Sequence, residues 1–454
     1  MDTGRIASNR PSYRTVIRPP RDDPKTPENE ADRAYYGAFV GDLNEDVDGD
    51  GKAGTVEDVK LQIKSNEDKT GEKLDYVLKF WSVIHAKSFP SDAAEGAYQK
   101  GAALLIKDQP GGIPSNWRDN SPQAVQLSAI IQQIKYKSGD YYDAYVKFAR
   151  ECMAWGVGTG ENGADKPIFL SLGHEMNGNW YSWAGDPAAY KEYFQLVHDL
   201  LIENGATNIT FLFNPNIYGV TDSLDYFPGE KHVDYIGLNG YQKKAWSNWK
   251  SAADLFANDI RKFADNSETK DIPLMIAEYG RDRDDIVGEE TIATIEGTLK
   301  YVTQPGNTDG VTALTYFDKD TDYKWELKDA NFTDFKKGID AQKWYFTGGI
   351  ETEKVYFNAD KNDVIIMYPN PYRPGSGGNF DAPYITFKNL TENTRIRIFN
   401  IAGELVKEDI ANSYGNYEWN ACNNSGEKVA SGVYIVLATN DQGMKKTGKI
   451  AIIK

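Results

Sequence analysis

Pro167-Ile-Phe-Leu-Ser-Leu172 runs directly into Gly173-His-Glu-Met-Asn-Gly-Asn-Trp-Tyr-Ser-Trp183. The first six residues read as a short buried strand that Gly173 brings to an end. One carboxylate, Glu175, then stands where the strand gives out into a loop, with His174 beside it and two indoles, Trp180 and Trp183, close behind. A carboxyl at the C-terminal end of a strand can be rigidly aimed, and flat aromatic faces bind the apolar faces of pyranose rings without ionic contacts. Such a segment suits an acid that cleaves sugars.

Outward from this stretch, from Tyr35 to about Ala341, short apolar runs alternate with longer amphipathic ones, as in repeated strand-helix units. Strands are expected at Tyr36–Val40, Tyr76–Val83, Ala102–Ile106, Pro167–Leu172, Ile209–Phe213, Tyr235–Leu238, Leu274–Ala277 and Val311–Phe317. Helices are expected at Tyr141–Trp155, at Ala188–Asn204, which Gly205 stops, and at Glu289–Val302. A doubly wound open sheet would show the same alternation. The placement of polar residues favours a (β/α)8 TIM barrel: Asp42, His85, Lys107, Asp108, Glu175, Asn214, Asn239 and Glu278 follow or end successive strands. Barrel enzymes assemble their sites from the C-terminal ends of many strands.

Beyond Gly348 the helical period gives way to short β-branched runs and turns, as in Val364–Tyr368, Tyr384–Phe387, Arg395–Asn400, Tyr417–Asn420 and Gly432–Thr439. These predict a small all-β immunoglobulin-like sandwich over 359–454, joined through a linker at 347–358 to a barrel over 34–346. Residues 1–33, rich in Arg and Pro, read as a disordered lead-in. The 454 residues suit a large domain plus a smaller one, and a formal charge of -16 argues against a polyanionic partner such as nucleic acid. No run is long enough to insert across a membrane as a helix. The two cysteines, Cys152 and Cys422, fall in different predicted domains and offer neither a disulfide framework nor a thiolate metal site.

Glycoside hydrolysis ordinarily needs two carboxyl groups, one protonated and one ionised. The partner for Glu175 is Glu278 in Ile272-Pro-Leu-Met-Ile-Ala-Glu-Tyr-Gly280, again at the end of an apolar strand. By strand count the two close strands four and seven.

These residues carry a resemblance to glycoside hydrolase family 26. It rests on His174-Glu-Met-Asn-Gly-Asn-Trp180, on Phe227-Pro-Gly-Glu-Lys-His-Val-Asp-Tyr-Ile-Gly-Leu-Asn-Gly-Tyr241 and on Ile276-Ala-Glu-Tyr-Gly280. The resemblance implies a retaining β-glycanase with Glu175 as acid/base and Glu278 as nucleophile. It further implies substrate contacts from His174, Trp180, Tyr241 and Trp325. Trp183 and Asn214 join these as candidates from the residues alone; Asn216, Asn239 and His85 are weaker ones. Ser171 and the Lys107-Asp-Gln-Pro110 strand end depart from the pattern of many family mannanases. The expected substrate is a plant-type β-glycan, first β-1,4-mannan and alternatively mixed-linkage β-1,3-1,4-glucan or xylan. A non-catalytic glycan-binding surface protein is the contrasting class, and the intact carboxylate pair speaks against it.

Asp46-Val-Asp-Gly-Asp-Gly-Lys-Ala-Gly-Thr-Val-Glu57 fits the calcium-loop spacing D-x-D-x-D-G-x5-E. Hard oxygen ligands from Asp46, Asp48, Asp50, the Lys52 carbonyl and Glu57 would hold a structural Ca2+; a solvated acidic loop is the alternative. Catalysis itself is expected to need no cofactor. The C-terminal module resembles those that close secreted bacterial proteins, through Tyr368-Pro-Asn-Pro371, Arg395-Ile-Arg-Ile-Phe-Asn-Ile-Ala-Gly-Glu404 and Val429-Ala-Ser-Gly-Val-Tyr434. That resemblance implies export or surface attachment through a secretion machinery, with carbohydrate binding as the competing role.

Overall fold

The computed structural model describes residues 13–18, 35–41, 43–111, 126–160, 164–242, 252–281, 311–318, 350–356, 365–376, 380, 384–388, 390, 394–411, 417–440 and 445–454. It divides into two compact units, Thr15–Glu353 and a second made of Lys354–Lys454 with Met1–Arg14. Strand β1, Tyr13–Ile17, precedes the barrel, which consists of β2 (Tyr35–Phe39), β3 (Tyr76–Trp81), β4 (Ala103–Asp108), β5 (Ile168–Leu172), β6 (Ile209–Phe213), β7 (Tyr235–Gln242), β8 (Leu274–Arg281) and β9 (Val311–Phe317). These eight close on themselves in chain order, which selects the TIM barrel over the open sheet.

Strand alternation sorts the barrel's side chains into two layers. Tyr76, Leu78, Ala103, Leu105, Phe169, Leu212, Tyr235, Met275 and Ala277 fill one core with Tyr35, Phe39 and Phe317. Their neighbours Val77, Leu104, Ile106, Ile168, Leu170, Ile209 and Ile236 pack in a second core with residues of the helices. The helices are α1 (Val56–Thr70), α2 (Val83–Ala86), α3 (Ser91–Gln99), α4 (Leu127–Tyr136), α5 (Asp140–Gly156), α6 (Pro187–Glu203) and α7 (Ala252–Ala264). Helix α6 starts as its sequence dictates: the Asp186 carboxylate accepts the Ala189 N–H at 3.0 Å, and Pro187 opens the first turn. Tyr190, Phe194, Val197 and Leu201 form its buried stripe. The expected helix Glu289–Val302 lies outside the described residues.

Two expectations about the flanks need correction. Within the stretch read as disordered, Tyr13–Ile17 is a strand: the Thr15 N–H donates to the Thr207 carbonyl at 2.7 Å, the Ile17 N–H to the Thr210 hydroxyl at 2.7 Å, and Ile17 joins the inner core. Burial of Val16 and Ile17 supplies an ordering energy that the polar composition around them hides. Within the stretch read as a linker, β10 (Thr352–Tyr356) is regular, Ile350 packs on the inner barrel core, and the Glu351 N–H donates to the Tyr35 hydroxyl at 3.0 Å.

The C-terminal unit is all-β. One sheet holds β11 (Ile366–Tyr368), β12 (Ile385–Lys388) and β15 (Tyr417–Trp419); the other holds β13 (Arg395–Phe399), β14 (Leu405–Ile410), β16 (Gly432–Thr439) and β17 (Lys445–Ile452). Ile385, Phe387 and Trp419 of the first share a core with Ile396, Ile398, Val436 and Ile450 of the second. This is a two-layer sandwich.

Candidate active site

Alternation carries polar residues into the barrel mouth. Inward positions Ala103 and Leu105 of β4 are followed by Lys107; Phe169 of β5 by Ser171; Leu212 of β6 by Asn214; and Tyr235 of β7 by Gly237, Asn239 and Tyr241. Strand β8 breaks the rule. Met275 and Ala277 lie in the inner core, yet Tyr279 packs in the outer one. The register of β8 shifts against β9 between Ile276 and Tyr279, and against β7 between Leu238 and Asn239. A bulge of this kind re-aims a side chain. It brings Glu278 inward and opposite Asn239.

Glu175 is held by a different device. Its φ is 55°, left-handed for a residue with a Cβ, at a cost of roughly 1–2 kcal/mol. The Glu175 N–H donates to the Asn214 carbonyl at 2.7 Å. Asn177 ties the loop to the segment after β6, donating to the Asn216 carbonyl at 2.7 Å and accepting the Asn216 N–H at 2.9 Å. Gly178 permits Trp180 to fold back, since a Cβ there would sit 2.5 Å from the indole.

The two carboxylates live in different company. Glu175 Oε1 accepts from Asn216 Nδ2 at 2.7 Å and Asn239 Nδ2 at 3.0 Å, and its Oε2 accepts from Trp180 Nε1 at 2.8 Å. All three donors are neutral. Burial, then the nearby charge of Glu278, raises the Glu175 carboxyl above its ordinary range, with the three donors opposing. Glu278 Oε1 instead accepts from the ammonium of Lys107, and its Oε2 from the Tyr241 hydroxyl. Both carboxylates are almost fully buried.

His174 lies beneath the pair, its ring against Phe80, Tyr181 and Trp183, with Nε2 3.2 Å from the Tyr181 hydroxyl. Burial and then the charge of Lys107 hold its imidazole well below the ordinary histidine range, so it is neutral near pH 7. Trp183 was expected as a sugar platform and is placed otherwise. Its indole is 2 % exposed, stacked on Tyr181 at 4.2 Å and 10°, and its N–H donates to the His174 carbonyl at 2.8 Å. It braces the loop. Trp180 and Tyr241 are half-buried, and each donates to one of the carboxylates.

Asn214 touches neither carboxylate; its Nδ2 donates to the Gly237 carbonyl and to Asn239 Oδ1, both at 2.8 Å. His85 is exposed on α2 with Nδ1 2.9 Å from the Ser82 hydroxyl. Asp42 and Trp325 lie outside the described residues. Asn239, a weaker candidate from sequence, sits at the centre of the pair, whereas Lys107 is marked in sequence only as a strand end and Asn177 only by its place in the loop.

In the loop before α1, the Asp46, Asp48 and Asp50 carboxylates lie within 4.8 Å of one another. Gly49 and Gly51, at φ 78° and 87°, supply its sharp turns. Glu57 pairs with Lys60 at 2.7 Å. Thr55 and Asp58 close a capping box at the start of α1.

Residues 131–282 match the family described as Glycosyl hydrolase family 26, and residues 366–454 match the Secretion system C-terminal sorting domain. Endoglucanase H of Acetivibrio thermocellus is 29% identical over 232 residues, covering 48% of this chain and 22% of the relative. Mannan endo-1,4-beta-mannosidase of Bacillus subtilis is 26% identical over 91 residues, covering 18% of this chain and 25% of the relative. The matches thus span a quarter or less of these curated relatives. A double mutant of the Cellulomonas fimi endo-beta-1,4-mannanase shares the fold with a TM-score of 0.55 at 15% identity, over 93% of this chain and 94% of that one. Among the described residues no helix is long and apolar enough to cross a membrane, and the sorting domain marks the protein as secreted or attached to the cell surface. Residues 131–282, within the (β/α)8 barrel, thus match glycosyl hydrolase family 26, and residues 366–454 match a secretion system C-terminal sorting domain.

Proposed function

We propose that the barrel is a retaining endo-β-glycanase that cleaves internal bonds of a plant-type β-glycan by double displacement. The observation that carries this is the unequal setting of the two carboxylates. Glu278, held between an ammonium and a tyrosine hydroxyl, is suited to attack the anomeric carbon. Glu175, buried among neutral donors with its carboxyl raised, is suited to hold a proton for the departing glycosidic oxygen and then to activate water. Trp180 and Tyr241 border the space where the sugar would lie, and neutral His174 supports the loop from below.

The resemblance of the site motifs favours β-1,4-mannan. A second reading, β-glucan, is favoured by the match to an endoglucanase, which is both longer and closer than the match to a mannosidase. Wild type and Glu278→Ala should be assayed on mannan, glucomannan, mixed-linkage glucan and xylan. Cleavage of one polymer by wild type alone supports the reading. Inertness on all four, or full activity of Glu278→Ala, would overturn it, because loss of a covalent nucleophile costs several orders of magnitude.

The acidic loop is proposed to take a structural Ca2+ through Asp46, Asp48, Asp50 and the Lys52 carbonyl. Glu57 would join after leaving Lys60. The ion would staple the loop to the start of α1, remote from the chemistry.

A further inference from the structure

We propose that Lys107 is a positioning residue that sets the charge asymmetry of the carboxylate pair, acting on Glu278 directly and on Glu175 through the amide of Asn239. This rests on the assignment of Glu278 as nucleophile and Glu175 as acid/base.

Lys107 comes from β4, and its side chain crosses the barrel mouth to β8. The ammonium has three donors and all find acceptors: Glu278 Oε1, Asn239 Oδ1 at 3.1 Å and the Ala277 carbonyl at 3.4 Å. It is fully buried. Its register partner on β5, Ser171, lies on the same inward face and is small, which leaves room for the lysine stem. Burial lowers the basicity of the ammonium below the ordinary lysine range, and the charge and hydrogen bond of Glu278 oppose that shift without cancelling it. Opposite charges held in contact each favour the charged form of the other.

The link to Glu175 is geometric. An Asn amide can face either way, and here two donors, Lys107 Nζ and Asn214 Nδ2, both point at its Oδ1. That fixes the amide and turns its Nδ2 toward Glu175 Oε1. A hydrogen-bonded chain thus runs Glu278, Lys107, Asn239, Glu175. The cation touches one carboxylate, and the other receives only a neutral donor. The titratable groups facing this chain are Glu278 and Tyr241 from β8 and β7, and Glu175, His174 and Tyr181 from the loop after β5.

The test compares kcat/KM against pH for wild type, Lys107→Met and Lys107→Gln on the polymer that wild type cleaves, with circular dichroism to confirm folding. Lys107→Gln keeps a neutral donor on a side chain one bond shorter, and serves if Lys107→Met does not fold. The expected result for both is a fall of at least ~10²-fold at neutral pH and an acid limb displaced to higher pH, because the nucleophile must ionise without its cation. A purely structural role would lower the rate at every pH and leave the limb in place. An unmoved acid limb, at whatever rate, overturns the proposal. Glu278→Ala assayed alongside separates the two readings. If it is inactive while Lys107→Gln keeps the wild-type profile, the catalytic pair stands and the lysine assignment falls; if it remains active, both fall.

Discussion

Asn239→Ala probes the centre of the site. The amide makes three contacts: it donates to Glu175 at 3.0 Å, accepts from Lys107 at 3.1 Å, and accepts from Asn214 at 2.8 Å. A neutral hydrogen bond contributes about 1 kcal/mol net and one to a charged group about 1.5–3 kcal/mol. Asn214 keeps its bond to the Gly237 carbonyl and Lys107 keeps Glu278, so the net loss is on the order of 3 kcal/mol. At about 2–4 °C per kcal/mol for a large domain, the melting temperature should drop by roughly 6–12 °C. The pH profile should change with a definite sign. The Asn239 donor favours ionised Glu175, so its removal leaves the acid protonated to higher pH and moves the alkaline limb of kcat/KM upward. With the lysine and the acid both less well aimed, kcat/KM at the optimum should fall by about 10²-fold, equivalent to roughly 2.7 kcal/mol. Calorimetry and initial rates between pH 4 and 9 provide the readout. An alkaline limb that stays put or moves down would refute the reasoning, as would lowered stability with unchanged kcat/KM.

Further substitutions separate structural from catalytic aromatics. Trp183→Ala should cost about 3–5 kcal/mol of stability as a buried indole is lost, with KM little changed on protein that remains folded; a KM increase without destabilisation would restore Trp183 as a sugar platform. Trp180→Phe keeps a ring but loses the 2.8 Å donor to Glu175. It should lower kcat and shift the alkaline limb upward, and an unchanged profile would remove the indole N–H from the mechanism. If the acidic loop takes Ca2+, chelator should lower the melting temperature of wild type and leave Asp48→Ala unaffected. Equal melting of wild type with and without chelator would exclude the ion.

Much of this architecture is legible because apolar runs with polar ends are read the same way by the chain and by the reader. All eight barrel strands are anticipated by their hydrophobic runs, and α6 by its 3.6-residue stripe and its Gly205 stop. Helices α1, α2, α3, α4 and α7 carry no predicted range; in α1 the buried residues are interleaved with polar ones, several themselves buried, as are Asp58, Gln62 and Asn66. The strand Tyr13–Ile17 is too short and too isolated among Arg and Pro to announce itself.

At the site the limits are geometric. Strict alternation after the inward Ala277 would turn Glu278 away from the barrel, and only the register shift in β8 brings it in. The motif places Glu175 at a strand end, but not its left-handed φ. Trp180 and Trp183 look alike in sequence, three residues apart; one is half-buried beside the acid and the other is buried and stacks on Tyr181. Lys107 lies 171 residues from Glu278, and no spacing rule links them. Their meeting depends on barrel closure.

The central claim is that Glu278 forms a covalent bond to the sugar while Glu175 handles the proton. The most direct measurement is intact-mass and peptide analysis after incubation with a 2-deoxy-2-fluoro β-glycoside bearing a good leaving group and built on the sugar of the polymer the wild type cleaves. The predicted result is one glycosyl unit per chain, located in the peptide containing Glu278 and absent from Glu278→Ala. A label on Glu175, or no label together with hydrolysis that inverts the anomeric centre, would contradict it.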